Sequence, residues 1–281
     1  MNISSKDLEN FNNNGFISFE KFINLDLIES AISRFGHIFR GDFETGVQPD
    51  KIKWMEGKSY DRTKPRSMCN IWKSDIAIAR ITLNKKIGEV AAKLMNWSGT
   101  RLNQDNIFWV PPGAGTTGFH QDNSYQDWHQ PDGIITCWIA LSDTIINGST
   151  LEYVLGSHKW QLSPRIKKFT SPKNYRQELD IFAKKYKKNI EITPLKIPAG
   201  GASFHHGRIW HGSNYNYSNL SRYALSTHCM TSVSEFNPKI KSPVFNHYKK
   251  FDSLKMDENF FPILWSNNGY RSLFLKNYLK S

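Results

Sequence analysis

Apolar residues recur at helical spacing through the first third of the chain and at alternating spacing through most of the rest. Ser5 is placed to open a short helix through Phe11, and Leu25 to Phe39 carries apolar side chains three and four apart. Asp75 to Met95 does the same with Ile76, Ile78, Ile81, Leu83, Ile87, Val90, Ala91 and Leu94. From Arg101 the period changes. Short segments at 101–110, 116–120, 134–142, 150–154, 193–197, 202–206, 208–213 and 222–230 read as strands, separated by Gly, Pro and Asn turns. This order predicts a mainly β fold with flanking α-helices, in which the helices cover one sheet and about eight strands form a two-sheet jelly roll. Residues 53–66 are rich in basic and aromatic side chains, show few signals for either element and read as loop.

Candidate chemistry lies in the strand-rich part. His120-Gln121-Asp122 follows the apolar run Asn106 to Val110 and the turn-forming Pro111-Pro112-Gly113-Ala114-Gly115. In extended backbone His120 and Asp122 share a face, because side chains alternate with period two. Downstream, Trp210-His211-Gly212-Ser213 and Arg222 flank an Asn/Tyr-rich turn, and a hairpin there pairs Ser213 with Arg222. A His-x-Asp triplet alone is weak, and the weight rests on the whole set. Two imidazoles and one carboxylate hold a metal from one side and leave the opposite positions open, which suits non-haem Fe(II) oxygenases. An Arg with a hydroxyl beside it, just beyond a ligand, suits a dicarboxylate that chelates the metal at one end and takes bidentate hydrogen bonds at the other. 2-Oxoglutarate fits that description. His205 and His206 compete with His211 for the third position, but neither is followed by Gly-Ser with an Arg at the right remove.

Composition narrows the setting. The 281 residues suffice for one domain with a well-buried core, and no linker divides them. The jelly-roll core is expected at about 101–231, with an insert at about 161–192. Cys69, Cys137 and Cys229 are far apart and lack a Cys-x-x-Cys pair, so neither a disulfide framework nor a thiolate zinc site is expected. The opening residues have no apolar signal region and no stretch approaches a membrane span, which predicts a soluble cytoplasmic protein with no membrane partner. Net charge is +12, and residues 165–188 contain nine basic side chains against Glu178 and Asp180. That run reads first as a solvated helix face and second as an attractor for an anionic substrate. No nucleic-acid-binding motif accompanies it, so a nucleic-acid partner is not expected. The pattern specifies no oligomeric state.

Several separated segments together resemble the phytanoyl-CoA dioxygenase family of Fe(II)/2-oxoglutarate oxygenases. They are Phe11-Asn12-Asn13-Asn14-Gly15-Phe16-Ile17, Phe119 to Tyr125, Trp138 to Thr144, Asn147 to Leu151, Gly156-Ser157-His158-Lys159-Trp160, Gly200 to Gly207 and Trp210 to Ser213, with Arg222 eleven positions after His211. The resemblance spans most of residues 5 to 230 and implies a double-stranded β-helix. It also implies His120, Asp122 and His211 as iron ligands, Arg222 as the clamp on the far carboxylate of 2-oxoglutarate, and Ser213 in support. Asn106 and Gln104 become candidates for further cosubstrate contacts. Gly201-Ala202 departs from the Asp that many relatives have after the Gly, at a position that is not a ligand. Relatives that halogenate lack the carboxylate that this chain retains as Asp122.

The implied reaction consumes O2, converts 2-oxoglutarate to succinate and CO2, and hydroxylates a C–H bond of a small-molecule substrate, with ascorbate supportive in vitro. Family members act on acyl-CoA, ectoine, aminoalkylphosphonates and antibiotic intermediates, so the iron motif does not choose the substrate. The segments Asp105 to Trp109 and Thr150 to Tyr153 resemble bacterial small-metabolite hydroxylases, and the net charge favours an anionic or zwitterionic substrate such as a 2-aminoethylphosphonate-like compound. Tyr125 and Trp128, close in sequence to Asp122, and Arg62 in the early basic stretch are the candidate substrate contacts. Two readings from other classes stand beside this one. One is a non-catalytic jelly-roll metabolite-binding protein; the other is a zinc-dependent hydrolase using the same His/Asp/His site with a metal-bound water as nucleophile.

Overall fold

The computed structural model describes residues 3–59, 61, 63–242 and 244–280. In chain order the elements are α1 (Ser5–Asn14), β1 (Phe16–Phe19), α2 (Leu25–Arg40), β2 (Lys51–Ile52), β3 (Arg66–Cys69), α3 (Ile76–Thr82), α4 (Lys85–Met95) and β4 (Gly99–Val110). Then come β5 (Thr117–His120), β6 (His129–Gln130), β7 (Ile135–Ala140), β8 (Leu151–Val154), α5 (Gln177–Tyr186), β9 (Ile192–Pro194), β10 (Ala202–His206), β11 (His211–Ser213) and β12 (Arg222–Thr231). The chain closes with β13 (Glu235–Phe236), β14 (Ile263–Ser266) and α6 (Leu275–Tyr278).

Local chemistry explains most boundaries. Ser4, one residue before the expected start, caps α1 in a reciprocal box with Asp7, and Gly15 in the left-handed region ends it. The expected helix over 75–95 is two helices. Asp75 caps the first and the Asn84 side chain caps the second by accepting from the Lys86 amide, so the Leu83-Asn84 step breaks the run.

An eight-stranded antiparallel sheet runs β1-β10-β7-β12-β4-β3-β2, with β14 also pairing β4, and a smaller sheet runs β5-β11-β8-β9. The helices α1 to α4 pack on one face of the large sheet over Ile107, Cys137, Ile139, Phe204 and Leu225. The other face of the large sheet meets the small one through Trp138, Ala140, Leu151, Tyr153 and Ala224. The result is the expected jelly roll with flanking helices. Asp105 anchors β4 to the helical layer: it accepts from the Ile71 and Trp72 amides and the Thr82 hydroxyl, and burial raises its pKa to about 7. Gln104 and Asn106 on either side of it therefore face the opposite way, between the sheets.

Three expectations change. The Ser213/Arg222 hairpin does not form: β11 pairs with β5 and β8, whereas β12 pairs with β4 and β7 in the other sheet. The Asn216 side chain holds the crossing by donating to Val110, Pro111 and Leu220 carbonyls. Residues 51–69, read partly as loop, supply β2 and β3 and extend the large sheet at its edge. The basic insert divides into two parts. Residues 169–175 zip along β5, with Gly118 and Phe119 amides donating to Phe169 and Tyr175 carbonyls, and α5 then buries Leu179, Phe182 and Ala183 against the outer face of the small sheet. Most of its lysines point to solvent, Lys184 and Lys185 on α5 and Lys167, Lys168, Lys173 and Lys187 on either side of it, so the solvated face of the plainer sequence reading includes only part of the helix.

Candidate active site

His120 ends β5, and Gln121 continues in extended backbone before a tight turn begins at Asp122. The period-two argument thus holds for one residue beyond the strand, and His120 and Asp122 share a face. Gln121 points the other way, donating to the Arg208 carbonyl and accepting from the Ser163 amide. His211 opens β11, directly opposite His120 across the antiparallel ladder. One ligand atom from each of His120, Asp122 and His211 lies within 4.8 Å of the others, and all three residues are buried.

Their orientations are fixed by groups around them. His120 Nδ1 lies 2.8 Å from the Gly118 carbonyl and His211 Nδ1 lies 3.1 Å from the Ile209 carbonyl. A carbonyl only accepts, so each Nδ1 carries a proton and each Nε2 is the ring nitrogen turned to the centre. The two Nε2 atoms stand 3.3 Å and 3.6 Å from Asp122 Oδ1. The other oxygen, Oδ2, accepts from the Thr136 hydroxyl at 2.8 Å and faces His205 Nε2 at 3.4 Å and His228 Nδ1 at 3.7 Å. Burial works against charge on Asp122, but His211, His120, His205 and His228 outweigh it and hold the carboxyl well below its usual range. Burial, reinforced by His120, pushes His211 well below the usual imidazole range. Two imidazole nitrogens and one carboxylate oxygen, converging from one side, fit Fe(II) with open positions opposite.

The triad opens into a cavity of about 510 Å³ between the sheets. Gln104, Asn106, Tyr125, Trp128, Ser213 and Arg222 all line it, so the cavity gathers the remaining predicted site residues described in the structure. Arg62 lies outside the described residues. Ser213 and Arg222 reach the cavity from opposite sheets, which replaces the hairpin geometry with a tertiary one. Arg222 is almost fully buried; burial brings its pKa down to about 10, and its Nε and Nη1 have no hydrogen-bond partner. Two unpartnered, buried guanidinium donors beside a metal-binding triad fit an incoming carboxylate. Trp128 also belongs to a second aromatic core with Phe236, Phe245 and Phe261, and its Nε1 donates to Gln126.

Sequence reasoning missed Thr136 and Phe169, weighed His205 only as a competitor of His211, and gave His228 no part in the site. For His228 a signal existed: Arg222, Ala224, Ser226 and His228 share one parity on β12, so an inward Arg222 implies an inward His228. His206, the neighbour of His205, points to the opposite side near Phe11 and His158 and is not part of the triad.

The family model for phytanoyl-CoA dioxygenase matches residues 11–224. The chain belongs to the phytanoyl-CoA dioxygenase family. A relative is phytanoyl-CoA dioxygenase domain-containing protein 1 of Danio rerio, 27% identical over 199 residues, covering 70% of this chain and 67% of that one. Another is the probable alpha-ketoglutarate-dependent hypophosphite dioxygenase of Stutzerimonas stutzeri, 25% identical over 220 residues, covering 75% and 73%. The fold is similar to that of the non-haem alpha-ketoglutarate-dependent carbocyclase SnoK from nogalamycin biosynthesis, with a TM-score of 0.71 at 17% identity over 93% of this chain and 96% of that one. As a family member this chain is an Fe(II)/2-oxoglutarate-dependent dioxygenase. That sets aside the zinc-hydrolase and non-catalytic readings. No helix among the described residues is long and apolar enough to cross a membrane.

Proposed function

We propose that this phytanoyl-CoA dioxygenase family member hydroxylates a C–H bond of a small anionic or zwitterionic metabolite, with His120, Asp122 and His211 holding Fe(II) and Arg222 holding the far carboxylate of 2-oxoglutarate. The observation that carries the reading is the convergence of the three ligand atoms beside a buried guanidinium that has unpartnered donors. Fe(II) with 2-oxoglutarate and O2 supplies the oxidation, in which 2-oxoglutarate becomes succinate and CO2 and one oxygen atom enters the substrate. The chain supplies position and dryness. Ser213, Asn106 and Gln104 line the same cavity as Arg222, with Asn106 and Gln104 further along the sheet opposite Ser226 and His228 of β12, and are the further polar contacts for the cosubstrate, while Tyr125 and Trp128 wall the space left for substrate.

The substrate class rests on charge. The cavity is lined by Lys51, Lys53, Arg165 and Arg222, and among the described residues Asp122 is its one carboxylate. The relative named for hypophosphite takes a small phosphorus oxyanion. A 2-aminoethylphosphonate-like compound matches both features. The test is succinate formation from 2-oxoglutarate by purified protein with Fe(II), ascorbate and O2, across 2-aminoethylphosphonate, other short phosphonates, hypophosphite and small carboxylates. Stimulation by one of these, with a product heavier by one oxygen atom, is the expected result. Indifference to every anion, with iron and 2-oxoglutarate bound, would remove the anionic class.

A supporting prediction concerns Thr136. Its hydroxyl fixes Asp122 Oδ2 and so turns Oδ1 towards the two Nε2 atoms. Thr136→Val keeps the shape and removes that bond, and the dissociation constant for Fe(II), measured anaerobically, is expected to rise by ~10–100-fold. An unchanged constant would show that the carboxylate is held by other groups.

A further inference from the structure

We infer that Lys53, carried on the edge of the large sheet, is the anchor for the acidic group of the substrate, and that the substrate reaches from Lys53 across the Phe169 ring to the metal with a short apolar segment between acid and reacting carbon. This deepens the reading above and rests on it.

The placement follows from the ladder. Lys51 pairs with Cys69 and Ile52 with Met68, and the Lys53 amide donates to the Ser67 carbonyl at 3.0 Å, which continues the β2–β3 pairing. Alternation then sends Ile52 and Trp54 into the core under the helices and puts Lys51 and Lys53 on the cavity face beside Cys69 and Asn106. The Lys53 ammonium stands 5.1 Å from the centre of the Phe169 ring, and that ring stands 4.4 Å from the His120 ring. Tyr125, 5.9 Å from Phe169 and 6.1 Å from His120, closes the same wall. A cation, an aromatic face and the metal triad therefore lie in sequence along one side of the cavity.

Of the neighbouring cations Arg165, Lys73 and Arg222 are committed elsewhere, whereas Lys51 stands beside Lys53 on the same face. Arg165 bonds Asp127 at 2.7 Å and Lys73 bonds Asp50 at 2.6 Å, and Arg222 is assigned to the cosubstrate. Among the described residues neither Lys51 nor Lys53 has a carboxylate within ion-pair distance. Solvent reaches the Lys53 side chain through the mouth, yet protein surrounds the ammonium on most sides; this burial and the like charge of Lys51 lower its pKa. An anion beside it relieves both effects. The Phe169 ring itself offers no hydrogen-bond donor, which favours hydrocarbon in the part of the substrate that crosses it. Hypophosphite has no such segment and does not meet this specification.

The test titrates methyl-, n-propyl- and n-pentylphosphonate into protein saturated with 2-oxoglutarate, which occupies Arg222, and reads binding by phosphorus NMR. In wild type, affinity is expected to rise with chain length. Lys53→Met weakens the longer two by ~10-fold or more, as loss of a charged hydrogen bond does, and Lys53→Arg restores part of the loss. Equal binding by wild type and Lys53→Met, no binding by any of the three, or no dependence on chain length would each overturn the proposal. The visible charge-transfer band of the anaerobic Fe(II) and 2-oxoglutarate complex is recorded on the same samples. Its absence from wild type would count against the reading of the metal site, whereas the Lys53 dependence is read with or without iron.

Discussion

Replacing Asp122 with Ala is expected to end substrate-stimulated succinate formation and to weaken Fe(II) binding by more than the ~10–100-fold that loss of a supporting residue costs. Asp122 is the one carboxylate facing the cavity among the described residues, and it is ionised before any cation arrives because four imidazoles face it. Ala leaves two neutral nitrogens, which bind a divalent ion without neutralising any of its charge. Asp122→Asn separates charge from shape. It keeps the volume and an oxygen for the Thr136 hydroxyl, yet it is expected to be equally inactive. The checks are an anaerobic iron-binding isotherm, the 2-oxoglutarate-dependent visible band and the succinate assay. Full turnover in either variant would place the metal elsewhere.

Arg222→Met is expected to raise the KM for 2-oxoglutarate by ~30-fold or more, since truncating one partner of a buried charge pair costs ~2–5 kcal/mol. The protein without ligands should respond in the opposite sense. Its buried guanidinium has two donors without partners, and burial already pulls the pKa down to about 10. A charge held in that way opposes folding, and an apolar side chain of similar length relieves the cost. Thermal unfolding of the free variant is therefore expected at the wild-type temperature or above it, while the stabilisation that 2-oxoglutarate gives the wild type disappears. Arg222→Lys keeps the charge but loses the planar fork, and falls between the two. A Met variant with wild-type affinity for 2-oxoglutarate would assign the far carboxylate to another residue.

Both variants probe residues that are legible in the sequence. His120, Asp122, His211, Ser213 and Arg222 are identifiable from local spacing and turn chemistry, and all five meet at one cavity. The geometry that joins Ser213 to Arg222 is not legible in the same way. Hairpin spacing is satisfied by residues 213–222, but burying both faces of a jelly roll required the chain to change sheets there. A local pattern has no means of registering that demand. The same limit explains His205 and His206. They are adjacent and chemically identical, and only the pairing of β10 with β7 sends His205 to the metal side and His206 away.

By itself the amino-acid sequence determined most of the elements, through the change from helical to alternating spacing, and the candidates for metal and clamp, through motifs that span a few positions. The tertiary structure decided which faces meet. It turned residues 51–69 from apparent loop into the edge of the large sheet, laid Phe169 of the basic insert against His120, and surrounded Asp122 with Thr136, His205 and His228. The physical reason is range. Periodicity and capping act within a few residues, whereas strand partners and the walls of a cavity are chosen by burial and pairing between segments far apart in the chain.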